Sequence, residues 1–306
     1  MELLTNVLAA TVVAGTPLLL VALGELICER SGVLNLGQEG MMLMGAGIGF
    51  IAATSTGSLS MGILAAMLGG VLMSMLFALM AITLAANQYA AGLALTIFGI
   101  GLSSFVGAGF VGQSIDGFDK IAIPLLSDIP VIGQVLFNQD LLVYASLLIF
   151  VLVFCFLKYS RGGLILRAVG ESPEAANANG LRVLPVRYMA VAFGGAMAGL
   201  AGAYLSLAYT PMWTENMTAG RGWIALALVV FATWKPERVL LGAYLFGAAS
   251  ILHLVLQGLG WNSSTELLAM LPYVVTIIVL VLLSWNPART RLNTPLSIGQ
   301  PYRPSK

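Results

Sequence analysis

Apolar runs about as long as a bilayer is thick follow one another from end to end of this chain and leave it lipid as solvent. They lie at roughly 7 to 24, 33 to 54, 61 to 84, 88 to 110, 141 to 157, 188 to 210, 222 to 234, 239 to 257 and 267 to 285. A helix needs about 20 mostly apolar residues to cross the hydrocarbon core. Only 9% of the 306 residues are charged, where a soluble domain carries roughly 25%. The pattern predicts an all-α, polytopic transmembrane helix bundle, a single domain over 1–306, with about nine spans and eight or ten equally compatible. The Gly-rich run after Arg30 and the short run at 222 to 234 are the two places where a broken helix is expected. Non-helical backbone is tolerated at membrane depth only where protein or a water-filled cavity satisfies its polar groups.

Between Gly24 and Gly49, GELICERSGVLNLGQEGMMLMGAGIG, three carboxylates and a guanidinium interrupt two such runs. Glu25, Glu29, Arg30 and Glu39 would each cost at least ~2.5 kcal/mol facing hydrocarbon, so they must face water or a partner. The stretch is therefore a functional-site expectation, with Arg30 offsetting a carboxylate as an ion pair and bracing the break.

Basic residues in short loops stay cytoplasmic. Lys158, Arg161, Arg167, Arg182 and Arg187 fall in one loop, Lys235 and Arg238 in a second, and Arg289, Arg291, Arg303 and Lys306 in a tail over 286–306. Counting crossings puts all eleven on one side. The segment at roughly 111 to 140 holds Asp116, Asp119, Asp128 and Asp140 against Lys120 alone, and the count places it opposite. The side of the N-terminus stays open. The opening apolar run is too long for a cleaved signal peptide and lacks the basic flank and Ala-x-Ala site of one.

Cys28 and Cys155 imply no disulfide framework and are expected as small buried apolar residues. His253 is the only histidine; a metal site or proton relay wants a cluster, so a structural role is expected. The chain has no Gly-x4-Gly-Lys-Ser/Thr loop, no His-Glu-x-x-His pair and no Gly-x-Ser-x-Gly elbow, which argues against enzymatic activity of its own. Small residues at helical spacing, Gly45 with Gly49 and Gly195 with Gly199 and Gly202, let helix backbones approach closely in lipid. A moving gate could use the same positions as hinges.

The loop over 158–187, KYSRGGLILRAVGESPEAANANGLRVLPVR, is long for a polytopic bundle. Ser172 can cap a helix with Pro173 at its first position, and Gly180 can close it in the left-handed conformation. A helix of about two turns is marginal alone. Residues 173 to 180 carry no large apolar side chain, which favours docking into a protein groove over lying in lipid headgroups.

Glu174-Ala175-Ala176 followed by Gly180 resembles the EAA-x3-Gly coupling helix of ATP-binding cassette importer permeases, although Leu184-Pro185 comes earlier than the usual tail. The stretch from Arg167 to Val183 is similar to the form found in permeases for branched-chain amino acids, simple sugars and nucleosides. With Glu29 to Met42, ERSGVLNLGQEGMM, and Gly220 to Ala227, GRGWIALA, the resemblance extends nearly full length. It is nearest to nucleoside-type importers that work with a basic-membrane-protein lipoprotein.

That resemblance implies a transport subunit, not an enzyme, of a bacterial inner (plasma) membrane importer for nucleosides or related simple sugars. Its implied partners are an ATP-binding cassette ATPase, a second permease forming a heterodimer, a solute-binding lipoprotein and membrane lipid, with no nucleic acid. No cofactor is bound by this chain, since ATP is used by the partner subunit. Ser172, Pro173, Glu174, Ala175, Ala176 and Gly180 would couple to the ATPase. Asn35, Gln38 and Glu39 are candidates to line the translocation path, with Glu25, Glu29 and Arg30 bracing the break or touching solute. Trp213, Glu215, Asn216 and Arg221 would serve lipoprotein docking or an outer gate, with an interfacial aromatic anchor as the other reading of Trp213. The rival class is an ion-coupled secondary transporter of a small polar solute, with Glu25, Glu29 and Glu39 as titrating groups. A passive channel or structural membrane protein would need neither the loop nor the acidic break.

Overall fold

A computed structural model of the chain describes residues 2–127, 129–258, 270, 274, 277, 278, 281 and 293–303. Most of the expected span at 267 to 285, Asp128, Arg289, Arg291, Lys306, the start of the tail and the side chain of His253 lie outside the described residues. In chain order the helices are α1 (Glu2–Arg30), α2 (Gln38–Thr56), α3 (Leu59–Thr83), α4 (Gln88–Phe110), α5 (Ile132–Leu136), α6 (Leu141–Tyr159), α7 (Arg161–Glu171), α8 (Pro173–Ala178), α9 (Val183–Tyr209), α10 (Arg221–Phe231) and α11 (Pro236–Gly258). Among the described residues, six of them (α1, α3, α4, α6, α9 and α11) are long and apolar enough to cross a membrane. With 19 residues, α2 rises about 28 Å, close to the ~30 Å hydrocarbon thickness. With 11, α10 rises only about 16 Å, which makes it a half-helix.

Among the described residues the bundle is all-α apart from a two-stranded antiparallel ribbon, β1 (Lys120–Ala122) with β2 (Asn138–Asp140), in register Lys120 to Asp140. This ribbon, not expected from the sequence, lies in the connection between α4 and α6. The expected span at 33 to 54 needs correction too. Residues 31–37 are not helical, Gly32 sits at φ +85°, and the helix begins only at Gln38.

Helices α1 and α9 are interior, while α4, α6 and α11 turn large apolar side chains outward, with Phe105 81% and Leu241 70% exposed. In water a surface like this would drive association; in a bilayer it is the solvated face. Glycines set the close approaches. Gly45 faces Gly199 of α9, Gly195 packs on the backbone of Gly70, and Gly202 on that of Met42, so a Cβ at these positions would meet main chain. Pro17 inside α1 lacks the N–H that would bond the Val13 carbonyl, and the Tyr204 hydroxyl donates to that carbonyl at 3.2 Å.

Antiparallel packing of α1 and α11, with Gly15 on Tyr244 and Gly247 on Thr11, fixes which helix ends share a side. At one end Arg30 reaches the Trp234 carbonyl and the Ser297 N–H reaches the Gly170 carbonyl. The segment around α7 and α8, the Lys235–Arg238 turn and residues 293–303 therefore lie together. At the other end, the Tyr204 hydroxyl lies 3.5 Å from Oδ2 of Asp140, and Ser114 bridges Met212. The bundle thus separates the basic segments from the acidic 111–140 connection as the charge count expected. Arg187 is an exception: it lies one turn inside α9 and is buried, not in a loop. Cys28 is buried and its thiol donates to the Ala190 carbonyl, whereas Cys155, expected to be buried, is exposed on the outer face of α6.

Candidate functional site

The link 31–37 between α1 and α2 has polar backbone inside the bundle, and side chains of α1, of α4 and of the link itself take it up. The Leu34 N–H donates to Oε1 of Gln88 (2.8 Å), the Asn35 N–H to Oε1 of Glu25 (3.0 Å) and the Gly37 N–H to Oδ1 of Asn35 (2.9 Å). The Thr96 hydroxyl donates to the Leu36 carbonyl at 2.9 Å. Glu25 accepts from the Gln38 side-chain amide on its second oxygen. Glu25, Glu29, Asn35 and Gln38 are fully buried and Glu39 is 3% exposed. Buried polar groups of this kind persist only when they are hydrogen-bonded. Among the described residues, Oε1 of Gln38 and Oε1 of Glu29 are two buried acceptors with no donor.

Glu39 joins this link to a second discontinuity. Its carboxylate accepts from the Thr218 hydroxyl (2.5 Å), the Gly220 N–H (2.8 Å) and the Gly222 N–H (2.6 Å). The two N–H groups are open donors of the α10 N-terminus, where the helix dipole also favours an anion. The non-helical residues 210–220 thus lead from the end of α9 to a half-helix held by Glu39, and Gly220 makes the turn at φ +81°. A Cβ on Gly222 would strike the Glu39 backbone. The broken helix expected at 222 to 234 is present in this form.

Glu29 accepts from the Trp234 indole N–H. The ion pair expected of Arg30 is replaced by bonds to neutral oxygens: it donates to the Trp234 carbonyl at 2.7 and 3.2 Å and to the Asn293 carbonyl at 3.2 Å. All four charged residues of the stretch are therefore anchored, and they brace the ends of α1 and α10 against each other. The partners Gln88, Thr96, Thr218 and Trp234 escaped sequence reading. Gly220 to Gly222 lay inside a quoted motif, but nothing local shows that their N–H groups meet Glu39.

Trp213 is fully buried against Gly47 and Gly107, within a cluster holding Phe50 and Leu207, so the interfacial anchor is corrected to a core plug. Glu215 and Asn216 are exposed at the same end. Arg221 donates to the Met217 and Thr218 carbonyls and lies 5.8 Å over the Tyr209 ring.

At the opposite end, α8 has the expected caps. The Ala175 N–H donates to Oγ of Ser172 (3.3 Å), and Pro173 takes the first turn. Gly180 at φ +79° closes the helix, with the Leu181 N–H reaching back to the Ala176 carbonyl (3.0 Å), the Schellman pattern. Glu174 and Ala175 face outward, while Ala176 packs with Val169, Val183 and Tyr302. The helix is thus seated on one side, not free-standing, and most of the preceding loop is a further helix, α7.

Comparison with known proteins agrees with this architecture. Residues 7–280 match the family described as branched-chain amino acid transport system / permease component. The chain is 41% identical to the putative glucose ABC transporter permease protein TsgC13 of Haloferax volcanii, covering 99% of this chain and 98% of that protein. It is 33% identical to the guanosine ABC transporter permease protein NupQ of Bacillus subtilis, over 98% and 97%. With the nucleoside ABC transporter permease protein NupC of Lactococcus lactis it shares 34% identity over 90% and 91%. A bundle of apolar helices with two polar breaks and a seated, capped helix at its basic end, matched over nearly its whole length, belongs to the branched-chain amino acid transport system permease family, as a multi-pass permease of the ABC transporter type.

Proposed function

We propose that this chain is the membrane permease of an ATP-driven importer for nucleosides or related simple sugars, in the cell membrane, with α8 facing the cytoplasm. The observation that carries the reading is α8 itself: a six-residue helix capped at both ends, seated by Ala176 and presenting Glu174 and Ala175 outward. A helix that short gains little from its own hydrogen bonds, so its two caps serve a fixed shape offered to a partner. That partner is an ATPase subunit, which uses the ATP; this chain binds no cofactor.

The solute class rests on the relatives, whose names give glucose, guanosine and nucleosides. These solutes share hydroxylated rings, which need donors and acceptors along their route. Asn35, Gln38 and Glu39 line that route once the helices separate, and the undonated Oε1 of Gln38 is an acceptor ready for a hydroxyl. Glu25, Glu29 and Arg30 hold the break in shape. Glu215 and Asn216, exposed at the acidic end beside Arg221, serve docking of a solute-binding lipoprotein or the outer gate. A second, different permease completes the assembly. The ion-coupled alternative is not favoured, because the full-length relatives are ABC permeases.

Uptake into proteoliposomes holding the assembled importer and its binding protein tests the reading. Guanosine, adenosine and glucose uptake is expected to require ATP hydrolysis and to fall at least tenfold in Glu174→Arg. Uptake that follows an imposed proton gradient without nucleotide would overturn it.

A further inference from the structure

Neither polar break's carboxylates hydrogen-bond the buried arginine of α9. Arg187 is 1% exposed, and its described hydrogen bonds go to neutral oxygens. Its Nε donates to the Ser31 carbonyl at 3.1 Å and its Nη2 to Oγ of Ser297 at 3.1 Å. The guanidinium lies 5.8 Å from the Tyr302 ring centre. Burying a guanidinium with no carboxylate among its hydrogen-bond partners is costly and persists where its position matters.

The two acceptors of Arg187 belong to segments far apart in the sequence that meet at one end of the bundle. Ser31 opens the 31–37 link that carries Asn35 and leads into Gln38 and Glu39. Ser297, in the C-terminal segment, donates through its hydroxyl (2.7 Å) and its N–H (3.1 Å) to the Gly170 carbonyl. Gly170 lies two residues before Ser172, the cap of α8, and its Cα face abuts the Arg30 carbonyl with no room for a Cβ. The C-terminal segment also reaches α4, where Gln88 donates to the Gln300 carbonyl (3.3 Å) and Gly299 rests on Tyr89. Tyr302 packs under α8 with Ala176 and Val183.

We infer that Arg187 and Ser297 are positioning residues for transport: they form the mechanical joint through which displacement of α8 reaches the 31–37 link. The route is Gly170 to Ser297 to Arg187 to Ser31, every step a hydrogen bond and both side chains buried. The geometry makes the forked guanidinium necessary. One nitrogen holds the link and another holds the strap, so both must move together; an ammonium offers a single point charge and cannot keep two acceptors in a fixed relation. The strap, residues 293–303, is thereby part of the transmission and not a passive tail.

This inference rests on the reading of α8 as the coupling element, so its test separates the two. Ser297→Ala, Ser297→Thr and Arg187→Lys are assembled with the ATPase and compared in proteoliposomes for complex recovery, ATP hydrolysis and ATP-driven uptake. Ser297→Ala and Arg187→Lys are expected to be recovered as complexes and to hydrolyse ATP within about twofold of wild type, with uptake per ATP down tenfold or more. Ser297→Thr, which keeps the hydroxyl, restores coupling. Unchanged uptake per ATP in both defective variants overturns the joint, and so does loss of complex recovery in both, which would make it a packing contact alone. Wild-type uptake without ATP hydrolysis would instead remove the coupling reading itself, a result distinct from either.

Discussion

Glu39 is where one side chain decides the most. Its two oxygens serve three donors from a segment 179 to 183 residues away. Glu39→Gln replaces one acceptor oxygen with an amide that meets N–H groups and leaves at least one buried donor unmade. That costs about 1–3 kcal/mol. Thermal unfolding in detergent should shift down clearly for Glu39→Gln and stay unchanged for Glu215→Gln, whose side chain is exposed. An equal shift in both would show that the α10 N-terminus does not depend on Glu39. Trp213→Ala empties a fully buried site walled by Gly47 and Gly107, and large aromatic truncations of this kind cost about 3–5 kcal/mol. An exposed anchor would show almost none of that loss, so the same melting assay separates the core plug from the interfacial reading.

Whole helices meet through their glycines, and α4 offers an internal control. A Cβ on Gly99 would lie 2.6 Å from the Cα of Gly40 in α2, while Gly101 has open space around it. Gly99→Ala should therefore lower the melting temperature and yield, since backbone cannot retreat, and Gly101→Ala should not. Of the elements, the long spans were legible because hydropathy over 20 residues is a sum that single residues barely disturb. The α8 caps were legible because Ser172, Pro173 and Gly180 act within a few residues of where they sit. The half-helix α10 was visible only as a short run, because its start is set by Glu39 and not by its own neighbours. Likewise the Cβ-free contact of Gly222 with Glu39, the burial of Trp213 and the Arg187–Ser297 joint all arise between segments far apart in sequence. Their local patterns are the same as those of an ordinary glycine, an interfacial tryptophan and a loop arginine.

Hydropathy is blind to which way a bundle points, because both leaflets are equally apolar inside; orientation comes from the charges at the ends. Here the fold gathers the segment around α7 and α8, the Lys235–Arg238 turn and residues 293–303 at one end, and the acidic 111–140 connection at the other. The basic end should stay in the cytoplasm, which also puts Glu174 where an ATPase can reach it. Asp116 and Asn177 are exposed residues at the two ends. In a Cys155→Ser background, with Cys28 left buried, Asp116→Cys should react with a membrane-impermeant maleimide on intact cells, and Asn177→Cys only after the membrane is opened. Labelling of both on intact cells would contradict the bundle's parity. The reversed pattern would keep the fold and defeat the coupling reading, since α8 would then lie on the side where no ATP is available to drive it.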